Sequence, residues 1–167
     1  VDGIILCPLG KGVEFSSFLK KLGIPIVTIY NRIECDFVHV DVDCRQIMRN
    51  VVSFLAQKGY NEMIYIDPHF EKMKSGGINV FSIEQRRIGY LEGLKEEMLG
   101  DGEILEDMDE RQLVGIAKRK DGMKKVFICR NDTPAVRLMT MFRENNIRVP
   151  EDVGIIGFDN IAILDNI

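Results

Sequence analysis

The sequence predicts an α/β fold built on a doubly wound parallel sheet, and three observations carry the prediction. Apolar runs alternate with amphipathic stretches from one end of the chain to the other, the pattern of stacked βα units. The run at 153–158, V-G-I-I-G-F, lacks the alternating polarity of a half-wet strand and is expected to be buried on both faces. Asp159 follows at once, which sets a carboxylate at the carboxyl edge of a strand, where ligands dock in open parallel sheets.

Taken in order, strands are expected at 2–7, 26–30, 63–67, 103–105, 125–129 and 153–158, with a short one at 38–42. Helices fall between them at 14–22, 45–58, 82–98, 109–118 and 133–145. Asp43 is the expected N-cap of the second helix, and Lys58 with Gly59 closes it, a cation near the negative helix end and a glycine able to turn left-handed. Pro134 suits the first turn of the last helix, and Pro150 is expected to stop it. The segment 68–80 reads as a long polar connection, either a rim beside a cleft or a surface excursion.

Composition narrows the function classes. With 167 residues and 46% hydrophobic content the chain can bury one globular core, and its net charge of −4 argues against binding nucleic acid by bulk electrostatics. It has no apolar run long enough for a membrane span and no signal-peptide pattern. Cys7, Cys35, Cys44 and Cys129 show no C-x-x-C spacing, so reduced, cytoplasmic thiols are the expectation. His39 and His69 stand isolated, and no metal site is expected. The basic run Lys118, Arg119, Lys120, Lys124 and Lys125 surrounds Asp121 and Gly122 without interleaved aromatics and reads as a solvated helix end. A doubly wound enzyme would need a phosphate loop or a nucleophile–base pair at a strand end. The chain offers no Walker loop and no nucleophile elbow, so no catalytic residue and no cofactor is assigned.

Several segments resemble the effector-binding domain of the LacI/GalR (lactose and galactose repressor) family of bacterial regulators, a relative of periplasmic sugar-binding proteins. They are V-D-G-I-I-L at 1–6, G-I-P-I-V-T-I at 23–29, G-Y-N-E-M-I-Y-I at 59–66, R-R-I-G-Y-L-E-G-L at 86–94, C-R-N-D at 129–132 and V-P-E-D-V-G-I-I-G-F-D-N at 149–160. The resemblance implies a periplasmic-binding-protein-like fold of type I with two Rossmann-like lobes, a partial N-terminal lobe at 1–42 and a C-terminal lobe at 43–167 ending at the hinge return. It also implies that a helix-turn-helix headpiece and the opening strands of the first lobe lie outside this chain, which then reads as a fragment with its first lobe incomplete. The function implied is sensing of a small polar effector, a sugar or sugar derivative, by a cytoplasmic, non-catalytic transcription regulator that meets operator DNA through that headpiece. An exported sugar-binding protein of a transport system is the alternative.

Candidate ligand residues come from the strand ends and from one helix start. Ser82 and Arg86 lie four apart, on one face of a helix whose N-terminus projects toward the carboxyl edge of the sheet. Arg86 offers a rigid fork of donors and, followed by Gly89 and Tyr90, matches the family's effector arginine; surface charge is its other reading, as an N-cap is for Ser82. Asn131 can both donate to and accept from a hydroxyl, while Asp132 is explained by capping alone. Asp159 corresponds by resemblance to an effector contact, with hinge capping as its alternative. Where relatives carry an acid and an arginine after the I-P-x-V strand, this chain has Tyr30, Asn31 and Arg32, so Tyr30 is placed to stack on a ligand ring. Met108 falls where relatives place an aromatic platform and serves either a ring or the core. The helix 134–144 is apolar over too wide an arc for one buried stripe, and by resemblance it forms a homodimer contact.

Overall fold

The structure, a computed structural model, describes residues 1–10, 13–33 and 35–162. The elements run, in order, β1 (Ile4–Leu6), α1 (Val13–Lys21), β2 (Ile26–Ile29), β3 (Val38–Val40), α2 (Cys44–Gln57), β4 (Glu62–Ile66), α3 (Phe70–Ser75), α4 (Phe81–Glu96), β5 (Glu103–Leu105), α5 (Glu110–Lys118), β6 (Lys125–Cys129), α6 (Asp132–Glu144) and β7 (Gly154–Ile156). They make two sheets, β1-β2-β3 and β5-β4-β6-β7, with parallel pairing throughout. The last five residues of the expected second lobe lie outside the described residues.

Double winding follows from the side-chain period of the central strands. Successive residues of a strand face opposite sides. Ile64, Ile66, Phe127 and Cys129 therefore pack with Leu113, Leu138 and Phe142 of α5 and α6. Their neighbours Met63, Tyr65, Val126 and Ile128 pack on the other side with Met48, Val52, Tyr90 and Leu94 of α2 and α4. Both faces are apolar because both are covered. In the smaller sheet Ile4 and Leu6 join Leu19, Ile26 and Ile33 in one cluster, whereas Ile5, Val38 and Val40 stand exposed on the opposite face.

Helix ends obey local chemistry. The Asp43 carboxylate accepts from the Gln46 N–H at 2.9 Å, and Asp109 caps α5 in the same way on Gln112 at 2.7 Å. Gly59, at φ 81°, closes α2, with Tyr60 N–H on Leu55 O at 3.1 Å and Gly59 N–H on Ala56 O at 2.8 Å. The glycines of R-R-I-G-Y-L-E-G-L serve packing: a Cβ on Gly89 would overlap the Arg45 carbonyl, and one on Gly93 would come within 2.8 Å of the Val52 side chain. Only residues without a side chain let α2 and α4 approach this closely.

Four expectations need correction. β7 lies at the sheet edge, so Ile155 and Ile156, which pack on the two opposite core clusters, are only half-buried. The connection 68–80 contains α3, anchored by buried Phe70, and Ile78 makes an antiparallel bridge to Gly10. It is not Pro150 that ends α6. Asn146 turns left-handed at φ 57°, and the Ile147 N–H returns to Phe142 O at 2.9 Å, ahead of the proline. Within the basic run, Lys125 is only 3% exposed, its ammonium bonded to Asp121 Oδ1 at 2.5 Å and to Arg119 O at 2.9 Å.

Candidate functional site

Parallel strands deliver their carboxyl ends to one edge, and charged residues follow those ends here: Asp67 after β4, Glu106 after β5, Arg130 after β6 and Asp159 after β7. From the smaller sheet β2 delivers Tyr30 and Asn31. Across from them α4 begins, with Ser82 and Arg86 one turn apart on the face toward the sheet.

Arg86 is the centre of this arrangement. It is 1% exposed, with its guanidinium stacked 3.6 Å from the centre of the Phe158 ring and 5.7 Å from that of Tyr30. Nη1 donates to the Arg130 carbonyl at 2.6 Å. Nη2 donates to the Tyr30 hydroxyl and lies 3.4 Å from Asp159 Oδ1, on a carboxylate side chain that is 33% exposed. Nε is buried and has no hydrogen-bond partner among the described residues, as is true of Asn131 Oδ1 and the Tyr65 hydroxyl. Unpaired buried polar atoms are costly, and Arg86 Nε and Asn131 Oδ1 both lie at this strand edge.

The rim is tied across the two sheets. The Ser82 hydroxyl and backbone N–H both donate to Asn31 Oδ1, at 3.1 and 3.3 Å. Asn79 donates from its backbone to Leu9 O at 2.7 Å and from its amide to Arg32 O at 3.0 Å. Ser82 is thus not the N-cap of α4; Val80 holds that position without a side-chain bond, and Asn79 just before it accepts from the Phe81 N–H at 3.2 Å.

Beneath Arg86 lies a buried ionic group. Asp67 has no exposed surface and sits between Arg130 at 3.3 Å and Arg87 at 3.4 Å. Arg87 also reaches Glu106 at 2.9 Å and stacks 3.9 Å from the Phe70 ring centre. Burial pushes the Asp67 carboxyl up to about 6, against the pull of the two arginines. Burial likewise pushes the Cys129 thiol up to about 12 and raises that of Cys44, the latter against the pull of the Arg86 guanidinium. Neither is a thiolate nucleophile at neutral pH. Among the described residues no group of three or more His, Cys, Asp or Glu side chains is placed to hold a metal ion.

Of the candidates read from sequence, Tyr30, Ser82, Arg86 and Asp159 come together in this cluster. Asn131 stands next to it, directly after the residue whose carbonyl Arg86 holds. It occupies the N-cap position of α6 without using its side chain there. Asp132 is no cap: it is 3% exposed, its backbone N–H donates to Phe158 O at 3.0 Å and its Oδ2 accepts from Ile161 N–H at 2.9 Å. A Cβ on Gly157 would overlap its Oδ1. Met108 packs against the core under α5 and α6. Sequence reading missed Asn31, Asp67, Arg87, Arg130 and Phe158 as parts of this site. The signal that singled out Asp159, a charge just past an apolar strand, was equally present at Asp67 and Arg130.

Away from the cluster, the outer face of α6 carries a groove of about 930 Å³ lined by Val136, Met139, Arg143, Ile147 and Val149. No helix among the described residues is long and apolar enough to cross a membrane.

Known proteins resemble the chain in both sequence and shape. The model of the periplasmic binding protein-like domain matches residues 52–167. The HTH-type transcriptional repressor PurR of Vibrio parahaemolyticus is 31% identical over 118 residues, which are 67% of this chain and 33% of that protein. The chain thus spans about a third of the length of this curated relative. A regulatory protein of the LacI family from Chloroflexus aggregans superposes with a TM-score of 0.76 at 23% identity, over 100% of this chain and 60% of that one. A LacI-family transcriptional regulator from Enterococcus faecium, solved with bound ribose, gives 0.74 at 21% identity, over 100% of this chain and 62% of that one.

Proposed function

The chain belongs to the periplasmic binding protein-like domain family, in the α/β form that LacI-family regulators share, and from that premise we propose that it is the effector-sensing part of a bacterial DNA-binding transcription regulator. The effector is a neutral polyol, a sugar or sugar derivative, held between the two sheets. The observation that carries this reading is the pairing of Arg86 with Asp159 beside two aromatic rings, Tyr30 and Phe158. Vicinal hydroxyls donate to a carboxylate and accept from a guanidinium at once, and an apolar ring face covers the C–H face of a sugar. A free anion suits the site less, because Asp159 repels it.

Ser82 and Asn131 complete the polar wall in this proposal, with Asn131 Oδ1 accepting a ligand hydroxyl, while Met108 supports the wall from the core. Binding shifts the balance between open and closed lobes in proportion to the difference in affinity for the two. The change reaches operator DNA through a headpiece outside this chain, in a cytoplasmic homodimer joined along α6. The similarity to a transcriptional repressor and to a LacI-family regulatory protein speaks for a regulator over a transport protein.

Melting of the full-length protein against D-ribose, D-glucose and inorganic phosphate tests the proposal. A sugar at a hundred times its Kd adds about 2.7 kcal/mol of apparent stability. That shift is expected with a sugar, not with phosphate, and is expected to vanish in Asp159→Asn. Phosphate alone raising the transition, or a sugar shift untouched by Asp159→Asn, would reject the site.

A further inference from the structure

The Arg86 donor that faces Asp159 is already in use. Arg86 has five N–H groups on a planar fork. Nη1 is spent on the Arg130 carbonyl, and Nη2, the nitrogen turned toward Asp159, is met by the Tyr30 hydroxyl. A phenol oxygen thus stands where a sugar oxygen bridging Arg86 and Asp159 would have to sit.

The backbone is built to put it there. β2 ends at Ile29, and Tyr30 turns to φ 67°, a left-handed conformation that a bulky residue adopts only where its surroundings enforce it. The enforcement is visible on both sides of the residue. Tyr30 N–H is held by Val40 O at 3.1 Å, Asn31 N–H by Ile29 O at 2.7 Å, and the Asn31 side chain by Ser82. Asp159, on the other side of the guanidinium, is left-handed as well, at φ 95°. Two strained residues, one from each sheet, converge on one buried cation.

We propose that Tyr30 is an intramolecular competitor for the effector, its hydroxyl occupying the Arg86 donor that a sugar hydroxyl must take, so that entry of the ligand is a displacement and Tyr30 sets the concentration at which the domain responds. The ring stays as a wall of the site, and only the oxygen competes. This inference rests on the sugar-binding reading of the same cleft. It differs from that reading in assigning the Tyr30 hydroxyl a role against binding.

Tyr30→Phe keeps the ring and removes the oxygen, leaving a buried guanidinium donor without a partner in the empty site. A ligand hydroxyl then repairs a defect instead of replacing a bond. Titration calorimetry of the full-length protein with D-ribose and with D-glucose is expected to show one of them binding roughly tenfold more tightly to Tyr30→Phe than to the native protein, the scale set by one unpaired buried donor. The gain is expected to disappear when Arg86→Met is added. Tyr30→Leu, which also lacks the oxygen, serves as a second variant if the phenylalanine form melts below the native protein. Equal or weaker sugar affinity in the variant overturns the competitor and leaves the cleft reading standing. A gain that survives Arg86→Met, or no binding of either sugar by either form, overturns both.

Discussion

Asp67 makes the stability of this domain respond to pH in an unusual direction. A carboxyl that titrates at about 6 in the folded chain, against 3.8 ordinarily, binds a proton more readily when folded, so mild acid favours the native state. The penalty for the charged form is present above the folded value and is relieved as pH falls through it. Between pH 7 and pH 5 the folded carboxyl passes from about one tenth to about nine tenths protonated while the unfolded one stays ionised. At 1.36 kcal/mol per unit of full protonation difference, the gain over that interval is about 1.3 kcal/mol. Carboxylates with lowered values do not oppose it there: Asp152, held at about 2 by Arg148, loses its advantage only as pH falls below its ordinary value of 3.8. With a urea slope of about 1–3 kcal/mol/M, the unfolding midpoint of the full-length protein rises by roughly 0.4–1.3 M from pH 7 to pH 5. Asp67→Asn has no proton to gain and should lose that rise, so the difference between the two profiles removes whatever the histidines contribute. Identical pH profiles for the native protein and Asp67→Asn would refute the account, as would a native midpoint that falls on acidification.

Two further perturbations probe packing and assembly. Gly89→Ala drives a methyl into the Arg45 backbone, and the overpacking cost of about 1–3 kcal/mol outweighs the gain of up to about 1 kcal/mol from removing a helical glycine. Its melting temperature, followed by circular dichroism, should drop by several degrees at about 2–4 °C per kcal/mol, and an unchanged or higher value would contradict the close helix contact. Met139→Asp puts a charge on the grooved outer face of α6; sedimentation is expected to show a native dimer reduced to a monomer, and a dimeric variant would take the contact off this helix.

The layout of the chain was readable because it is written in periods. Strand and helix positions followed from apolar spacing, and Gly59 and Asp43 announced helix ends through chemistry confined to one turn. Errors arose where a neighbour decides the outcome. The apolar run at 153–158 has the composition of a central strand, but the sheet order leaves β7 on the edge, which nothing in its own residues encodes. Asn146, not Pro150, ends α6, since asparagine tolerates the left-handed turn almost as glycine does and gives no louder signal. Ser82 looked like a cap from its position, yet it lies inside α4, and Asn79, ahead of the helix, takes the bond. Within the site, Arg86 and Asp159 were legible as charges beside apolar elements. Their convergence with Tyr30, from a different sheet, is a long-range fact. The arginines around Asp67 were hidden for a related reason: Arg87 and Arg130 read as solvent charges until the fold folds a carboxylate between them.

The chain that leaves β7 is bolted to the root of α6. Asp132 holds it at two points, the Phe158 carbonyl and the Ile161 amide, and Gly157 fits against the carboxylate only because it has no side chain. Phe158 is the plate on which Arg86 rests, and Asp159 is the next link. In the proposed sensor, a twist of that elbow on ligand entry is passed to the first turn of α6 through these bonds. The opposite flank of that same rod carries Met139 and its groove, so the elbow and the outer face meet on one short lever, seated on the core through Leu138 and Phe142.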